Sequence, residues 1–367
     1  MVRFGIAGVG VRGAEHAKLI LDGSVPNAEV VAVCDTDPAK LDAFRAVYPN
    51  VAAYNSSKEM IQSGKVDAVL IVTPHYDHPH IAMEAFAAGL HVMNEKPAGV
   101  YTQQVREMDE AYAKRSRKDL VYGIMYNQRT NPMFRKMREM VQGGELGEIK
   151  RTSWLITDWY RSQAYYDSGG WRATWKGEGG GVLINQCPHN LDLWQWICGM
   201  PARITAFTHE GKWHNIEVED DVTAYAEYAN GATGIFVTST ADCPGNNRFE
   251  VLGDKGKLVC EHDKLMHCKL DIGEREFNRV NKEMFASPAM ECTEIKCEGE
   301  NTQHAGILRN FVNTINGEEA LIARGEEGIN GLTISNAMYL SGWTRQTIEL
   351  QSLDEVLFLT ELKKRWK

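Results

Sequence analysis

Short apolar runs and amphipathic stretches take turns along the first 125 residues, the order that βαβ units impose. The apolar runs at 2–7, 29–34, 68–73, 91–94 and 120–125 are predicted strands. They are nearly continuous in hydrophobic residues, as expected for a parallel sheet covered on both faces. Between them, Leu41, Phe44 and Val47 follow Pro38, and Ile81, Ala82, Ala85 and Phe86 lie between Pro79 and Gly89. Proline suits the first turn of a helix and glycine its end, so both stretches read as helices.

The pattern changes after Tyr126, which predicts one domain over 1–126 and a second over 127–367. A helix is expected from Asn131-Pro132 to Gly143-Gly144, then a strand at 149–157. Runs 222–229 and 232–240 flank Asn230-Gly231, a dipeptide expected to supply both positive-φ positions of a tight antiparallel hairpin. Shorter strands at 204–208, 249–252 and 257–260 and helices at 304–315 and 326–343 complete the reading. Residues 158–181 are polar, aromatic and glycine-rich, too long for an ordinary connection and so a candidate for function.

The chain has 367 residues and a net charge of −9, which argues against nucleic acid or an anionic membrane as partner. No apolar run approaches the roughly 20 residues that span a bilayer. The glycine-rich start, followed at once by Arg12, Glu15, His16 and Lys18, does not read as a signal peptide. Eight cysteines without a C-x-x-C pair are expected to be reduced thiols in a cytoplasmic protein.

Gly8-Val9-Gly10-Val11-Arg12-Gly13 fits G-x-G-x-x-G between a predicted strand and a predicted helix at 14–21. The first glycine permits a tight turn, the second lets backbone approach a pyrophosphate, and the third allows close helix–strand packing. Asp35 ends the second strand, where a carboxylate accepts a hydrogen bond from an adenosine ribose hydroxyl and repels a 2′-phosphate. NAD is therefore favoured over NADP.

Lys96, in Asn94-Glu95-Lys96-Pro97, follows the fourth predicted strand, at the edge where open α/β sheets bind ligands. A lysine there can stabilise an alkoxide as hydride leaves; a strand-end surface lysine is the plain alternative. In the second domain, a helix expected from about Gly181 would set Asn185, His189 and Asp192 on one face, with Pro188 kinking it. His189 has the chemistry for proton abstraction and Asp192 could orient it, or His189 is a hydrogen-bonded core residue.

The glycine motif, Thr73-Pro74 with His78, Glu95-Lys96-Pro97 and Gly180-Gly181…His189…Asp192 together resemble the glucose–fructose oxidoreductase/inositol dehydrogenase/MocA-like family, through essentially the whole chain. The resemblance implies an α/β fold, an N-terminal Rossmann dinucleotide-binding domain followed by a C-terminal α+β domain with a large, mostly antiparallel sheet. It also implies oxidation or reduction of a carbinol of a sugar, glycoside or cyclitol with NAD, by a homodimer or homotetramer. Lys96 would be the catalytic lysine and His189 the acid/base. Thr73, Pro74, His75, His78, Glu95 and Asn127 would join Gly8, Gly10, Val11, Arg12, Gly13, Asp35 and Lys96 beside the cofactor. Many members have aspartate where this chain has Asn185, which cannot take a proton.

Asp158, Trp171 and Arg172 are expected to touch substrate with Lys96, Asn185 and His189, because aromatic faces stack on sugar C–H surfaces and Asp and Arg bond their hydroxyls. His75, His78 and His80 straddle a predicted turn beside Pro79, so no metal site is expected there. Two other readings stay open: a redox-neutral enzyme that retains its NAD while cleaving or epimerising a glycoside, and a sugar sensor without chemistry.

Overall fold

The alternation at the start of the chain becomes a six-stranded parallel sheet of β1 (Val2–Ala7), β2 (Ala28–Cys34), β3 (Ala52–Tyr54), β4 (Ala68–Ile71), β5 (His91–Asn94) and β6 (Tyr122–Ile124). In the computed structural model, which describes all 367 residues, its order is β3-β2-β1-β4-β5-β6. The order turns around between β1 and β4, and such a switch point leaves a crevice at the carboxyl ends of the strands. Helices α1 (Val11–Leu21), α2 (Pro38–Val47), α3 (Ser57–Gln62), α4 (His78–Ala87) and α5 (Thr102–Lys114) lie between the strands. Pro38 and Pro79 stand in the first turns of α2 and α4, where no backbone donor is missed.

This unit comprises Met1–Thr130 and, returning later in the chain, Asn301–Leu332. The returning segment carries α10 (Gln303–Ile315), whose Ile307, Leu308, Phe311 and Val312 join Phe4, Ile6, Val33, Leu70 and Met93 in one buried cluster. The sequence reading of two successive domains, 1–126 and 127–367, differs here. An amphipathic helix far along the chain buries its apolar face on the first sheet, and spacing along the chain does not report that.

The second unit comprises Asn131–Glu300 and Thr333–Lys367. Its nine-stranded sheet uses β7 (Ile149–Ile156), β8 (Arg203–Glu210), β9 (Glu219–Glu227), β10 (Thr233–Ser239), β11 (Asn247–Gly253), β12 (Gly256–Glu261), β13 (Lys264–Leu270), β14 (Met290–Ile295) and β15 (Ile348–Glu349). The order is β14-β13-β12-β11-β7-β10-β9-β8-β15, antiparallel except for the β7–β10 pair. Inward residues alternate with outward ones: Trp154 stacks on Phe249 at 4.2 Å inside, while Leu155, Ile235, Tyr225 and Phe207 form an exposed outer row. Helices α6 (Pro132–Gln142) and α8 (Pro188–Cys198) cover the inner face through Phe134 on Trp154 and Trp194 on Phe236. A short helix, α7 (Gln163–Tyr166), and α9 (Glu274–Val280), α11 (Gly328–Thr344) and α12 (Glu355–Lys364) complete the chain.

Three local expectations are corrected. The β9–β10 hairpin has positive φ at Gly231 alone; the Gly231 N–H bonds to the Tyr228 carbonyl, so an ordinary turn ends in one left-handed glycine. The helix expected from Gly181 begins only at Pro188, with 182–187 in turns; proline therefore opens α8 instead of kinking it. Not all eight cysteines are thiols: Cys268 and Cys292 face each other across β13 and β14, Cα atoms 4.0 Å apart, and form a disulfide. No helix is long and apolar enough to cross a membrane.

Candidate functional site

In the first unit, α1 starts directly after Gly10, with no side-chain cap and no acid in its first turn, so its first amides are available to an anion. The three glycines divide the work. Gly8 has φ +93° and a Cβ there would lie 2.6 Å from the Val72 carbonyl oxygen; at Gly13 it would lie 1.9 Å from that of Gly8. Around a Cβ at Gly10 there is nothing within 4 Å. Gly8 and Gly13 thus serve the fold, and Gly10 keeps open space at the mouth of the helix. Beside it, the Asp35 carboxylate accepts the Val9 N–H at 3.0 Å and the Asp37 N–H at 3.0 Å. Arg12 pairs with Glu15 at 2.6 Å, next to an exposed Val11.

Other polar atoms of this unit are buried without a hydrogen bond: Thr73 Oγ1, Asn94 Oδ1 and Asn127 Oδ1. Thr73 and Asn127 follow β4 and β6, at the carboxyl edge of the sheet. Open space at Gly10, a fixed Asp35 and these unsatisfied atoms fit a dinucleotide. Pro74 leads into a single turn holding buried His75. His78 does something the sequence did not show: its ring nitrogens lie 2.8 Å from the Pro97 carbonyl and 2.7 Å from that of Thr73. Both neighbours are acceptors, so the neutral ring donates to one of them while it packs between the loops after β4 and β5; burial holds its imidazole below the usual histidine range.

Lys96 is half-buried and its backbone N–H is held at 2.9 Å by Oε2 of its neighbour Glu95. The other oxygen, Oε1, meets His16 Nε2 at 2.7 Å, both side chains being buried. Burial alone would raise the Glu95 carboxyl, but the hydrogen bond and charge of His16, with Lys96 and His304, hold it well below the carboxylate range. His304, at the start of α10, packs its ring 5.4 Å from that of His16 and is pushed down to about 4, chiefly by burial. The partnership of His16, Glu95 and His304 joins residues 79 and more positions apart, and no motif marks it.

In the second unit, the turn at 181–187 is organised by Glu219 of β9. Its carboxyl accepts the N–H groups of Gly181 and Leu183 at 2.9 Å each and the Tyr339 hydroxyl at 2.7 Å. Burial pushes Glu219 up to about 8 against the pull of those donors. The glycines make this approach possible: a Cβ at Gly180 would lie 2.1 Å from the Tyr339 oxygen, and one at Gly181 2.0 Å from the Glu219 carbonyl oxygen. The turn carries half-buried Asn185 and leads to half-buried His189, second residue of α8. Asp192 is buried and accepts from Gln195 at 3.0 Å.

Asn185 meets the long loop at Tyr165. The Tyr165 hydroxyl receives Arg172 Nη1 at 2.6 Å, Gln186 Nε2 at 3.3 Å and Asn185 Nδ2 at 3.4 Å. The Arg172 guanidinium lies over the rings of Tyr165 (4.4 Å) and exposed Trp171 (4.8 Å). The structure thus gathers Trp171, Arg172 and Asn185 around Tyr165, while Asp158 is exposed just after β7. Tyr165 and Gln186 were not singled out by the sequence, and neither were the buried carboxyls of Glu178 and Glu219.

Comparison with known proteins decides the family. Residues 2–123 match the model of the oxidoreductase family with an NAD-binding Rossmann fold, and residues 134–259 match the GFO/IDH/MocA C-terminal domain. The chain belongs to the GFO/IDH/MocA oxidoreductase family. As a member it is an NAD-binding oxidoreductase related to sugar and cyclitol dehydrogenases. It is 26% identical to D-glucoside 3-dehydrogenase of Escherichia coli K12, over 88% of this chain and 90% of that protein. It is 23% identical to inositol 2-dehydrogenase of Rhizobium meliloti 1021, over 95% of this chain and 99% of that one. Among solved structures it resembles the WlbA dehydrogenase of Bordetella pertussis in complex with NADH and UDP-GlcNAcA, with a TM-score of 0.79, 26% identity, and coverage of 95% and 98%.

Two outcomes follow. G10A should melt like the wild type, because its φ of −64° suits alanine, yet bind NAD at least about tenfold more weakly. G13A, whose Cβ meets backbone, should instead lose about 1–3 kcal/mol of stability. Calorimetric titration of NAD with melting curves checks both, and unchanged NAD affinity in G10A would contradict the assignment. His304 gives a pH effect. Its folded value lies below the unfolded 6.5, so the stability it contributes is full above pH 6.5 and lost as pH falls toward about 4. H304Q should therefore lose less melting temperature over that window than the wild type, with buried His78 and His91 leaving a residual slope. Parallel curves would refute it.

Proposed function

We propose that the protein is a dehydrogenase that oxidises one carbinol of a sugar, glycoside or cyclitol, with NAD preferred over NADP. The observation that carries this is the cluster of Trp171, Arg172, Tyr165 and Asn185, with His189 opening α8 nearby in the chain. It offers what a polyol needs: an apolar face for C–H surfaces, a guanidinium and amides for hydroxyls, and an imidazole for one proton. The D-glucoside and inositol dehydrogenases among the relatives support the same substrate class.

The nicotinamide, when bound, supplies the hydride acceptor. Gly10, Val11, Arg12 and Gly13 would receive its pyrophosphate at the start of α1, and Asp35 its adenosine ribose. The Asp35 carboxylate repels a 2′-phosphate; Lys40, with Nζ 3.9 Å from both Asp35 and Asp37, is shared between two acids and offsets this only in part. Thr73, Asn94 and Asn127 bring polar atoms that the protein leaves unsatisfied. Lys96, its backbone fixed by Glu95, stabilises the oxygen that becomes alkoxide, and His189 accepts the hydroxyl proton. Asn185 orients the substrate through a neighbouring hydroxyl, and Arg172, Trp171 and Asp158 hold the remainder of the substrate.

Nicotinamide absorbance after mixing the protein and NAD with pooled cyclitols, free sugars and methyl glycosides tests this. Reduced cofactor should form with the wild type, while K96A and H189A lose at least about a hundredfold in turnover and keep NAD affinity. Near-wild-type turnover in either variant would remove that residue from the mechanism. No reduced cofactor and no chemical change in any pooled substrate would leave the fold without the proposed activity.

A further inference from the structure

The long loop of the second unit holds a buried carboxylate that the roles above do not use. Glu178 is 1% exposed. One of its oxygens, Oε2, accepts the Ala173 N–H at 2.6 Å; the other, Oε1, accepts a hydrogen bond from Asn185 Nδ2 and has Arg172 Nη1 at 3.6 Å. Ala173 is itself in the left-handed region, at φ 55°, so its N–H is presented by an unusual bend of the loop directly after Arg172. Segments 172–178 and 185 are thus tied by one side chain.

A carboxylate accepts and never donates. Asn185 must therefore turn its NH₂ toward Glu178, which also brings Nδ2 within 3.4 Å of the Tyr165 hydroxyl and sends Oδ1 to the opposite side of the amide. We infer that Glu178 is a positioning residue: it sets the amide of Asn185 so that Oδ1, an acceptor, meets a donating hydroxyl of the bound polyol. This deepens the dehydrogenase reading and rests on it.

The inference makes an exchange experiment decisive. In E178Q the amide oxygen still accepts the Ala173 N–H, but its NH₂ now faces the NH₂ of Asn185. Asn185 relieves this by turning over, which places a donor where the substrate needs an acceptor. In E178Q/N185D the NH₂ of the introduced glutamine donates to one carboxylate oxygen of the introduced aspartate. The other oxygen is an acceptor toward substrate, so the pattern is restored with amide and acid exchanged. Measured on whichever polyol of the pool the wild type oxidises, E178Q should lose about a hundredfold in kcat/KM with NAD affinity unchanged. The double variant should recover at least about tenfold over E178Q while N185D alone, which sets two carboxylates against each other, falls below the wild type, a coupling that independent effects cannot produce.

Wild-type turnover in E178Q, or a double variant no better than E178Q, overturns the inference. If E178Q is too unstable to assay, the same pairing requires the double variant to melt higher than E178Q, and an equal or lower melting point overturns it. A wild type inactive on the whole pool is a failure of the dehydrogenase reading, seen before any variant is made. The melting cycle then still reports the donor–acceptor pairing of residues 178 and 185.

Discussion

A carboxyl group taken out of water must find hydrogen-bond donors, and in this protein the donors are backbone amides of the segments to which the chemistry is proposed to belong. Glu95 holds the N–H of Lys96, Glu219 those of Gly181 and Leu183, and Glu178 that of Ala173 beside Arg172. Asp220 does the same for the loop at Lys212, Trp213 and His214. Leaving such a group buried without its donor costs about 1–3 kcal/mol, and more when it is charged, so each acid holds its loop as firmly as the loop holds the acid. A loop that would otherwise sample many conformations is thereby fixed without becoming helix or strand.

Glycine allocation completes the arrangement. Gly180 and Gly181 lie where any Cβ would strike Tyr339 or Glu219, and Gly8 and Gly13 where it would strike backbone. These positions let an acid or a turn come close. Gly10 differs, since nothing in the protein fills the space beside it. Within the Gly8–Gly13 motif, that contrast separates two glycines that serve the fold from one whose flank is open, and it agrees with membership of a family whose first domain binds NAD.

Much of the first unit was legible because its signals are local. Continuous apolar runs, prolines at helix starts and the glycine spacing each report on neighbours within a few residues. The place of Asp35, directly after β2, was legible for the same reason. What escaped was non-local: α10 folding back onto the first sheet, the His16–Glu95 pair, and Cys268 facing Cys292 across two strands. The stretch around Asn185 was misread for a physical reason. Its spacing allows a helix, but the Glu219 carboxyl draws off the amides of Gly181 and Leu183, and Pro188 makes a natural first turn. Glu178 and Glu219 carried no sequence signal at all, because an acid among polar neighbours looks like surface until burial is known.

Buried carboxyls hold the loops of the candidate site, and backbone hydrogen exchange in E219Q tests this most directly. Glutamine can accept from only one of the two amides that Glu219 engages, and its NH₂ opposes the other. Exchange of the peptide covering 181–187 should accelerate by about tenfold or more, while β9 and β10 keep their protection. Wild-type protection across 181–187 in a folded E219Q would contradict the account.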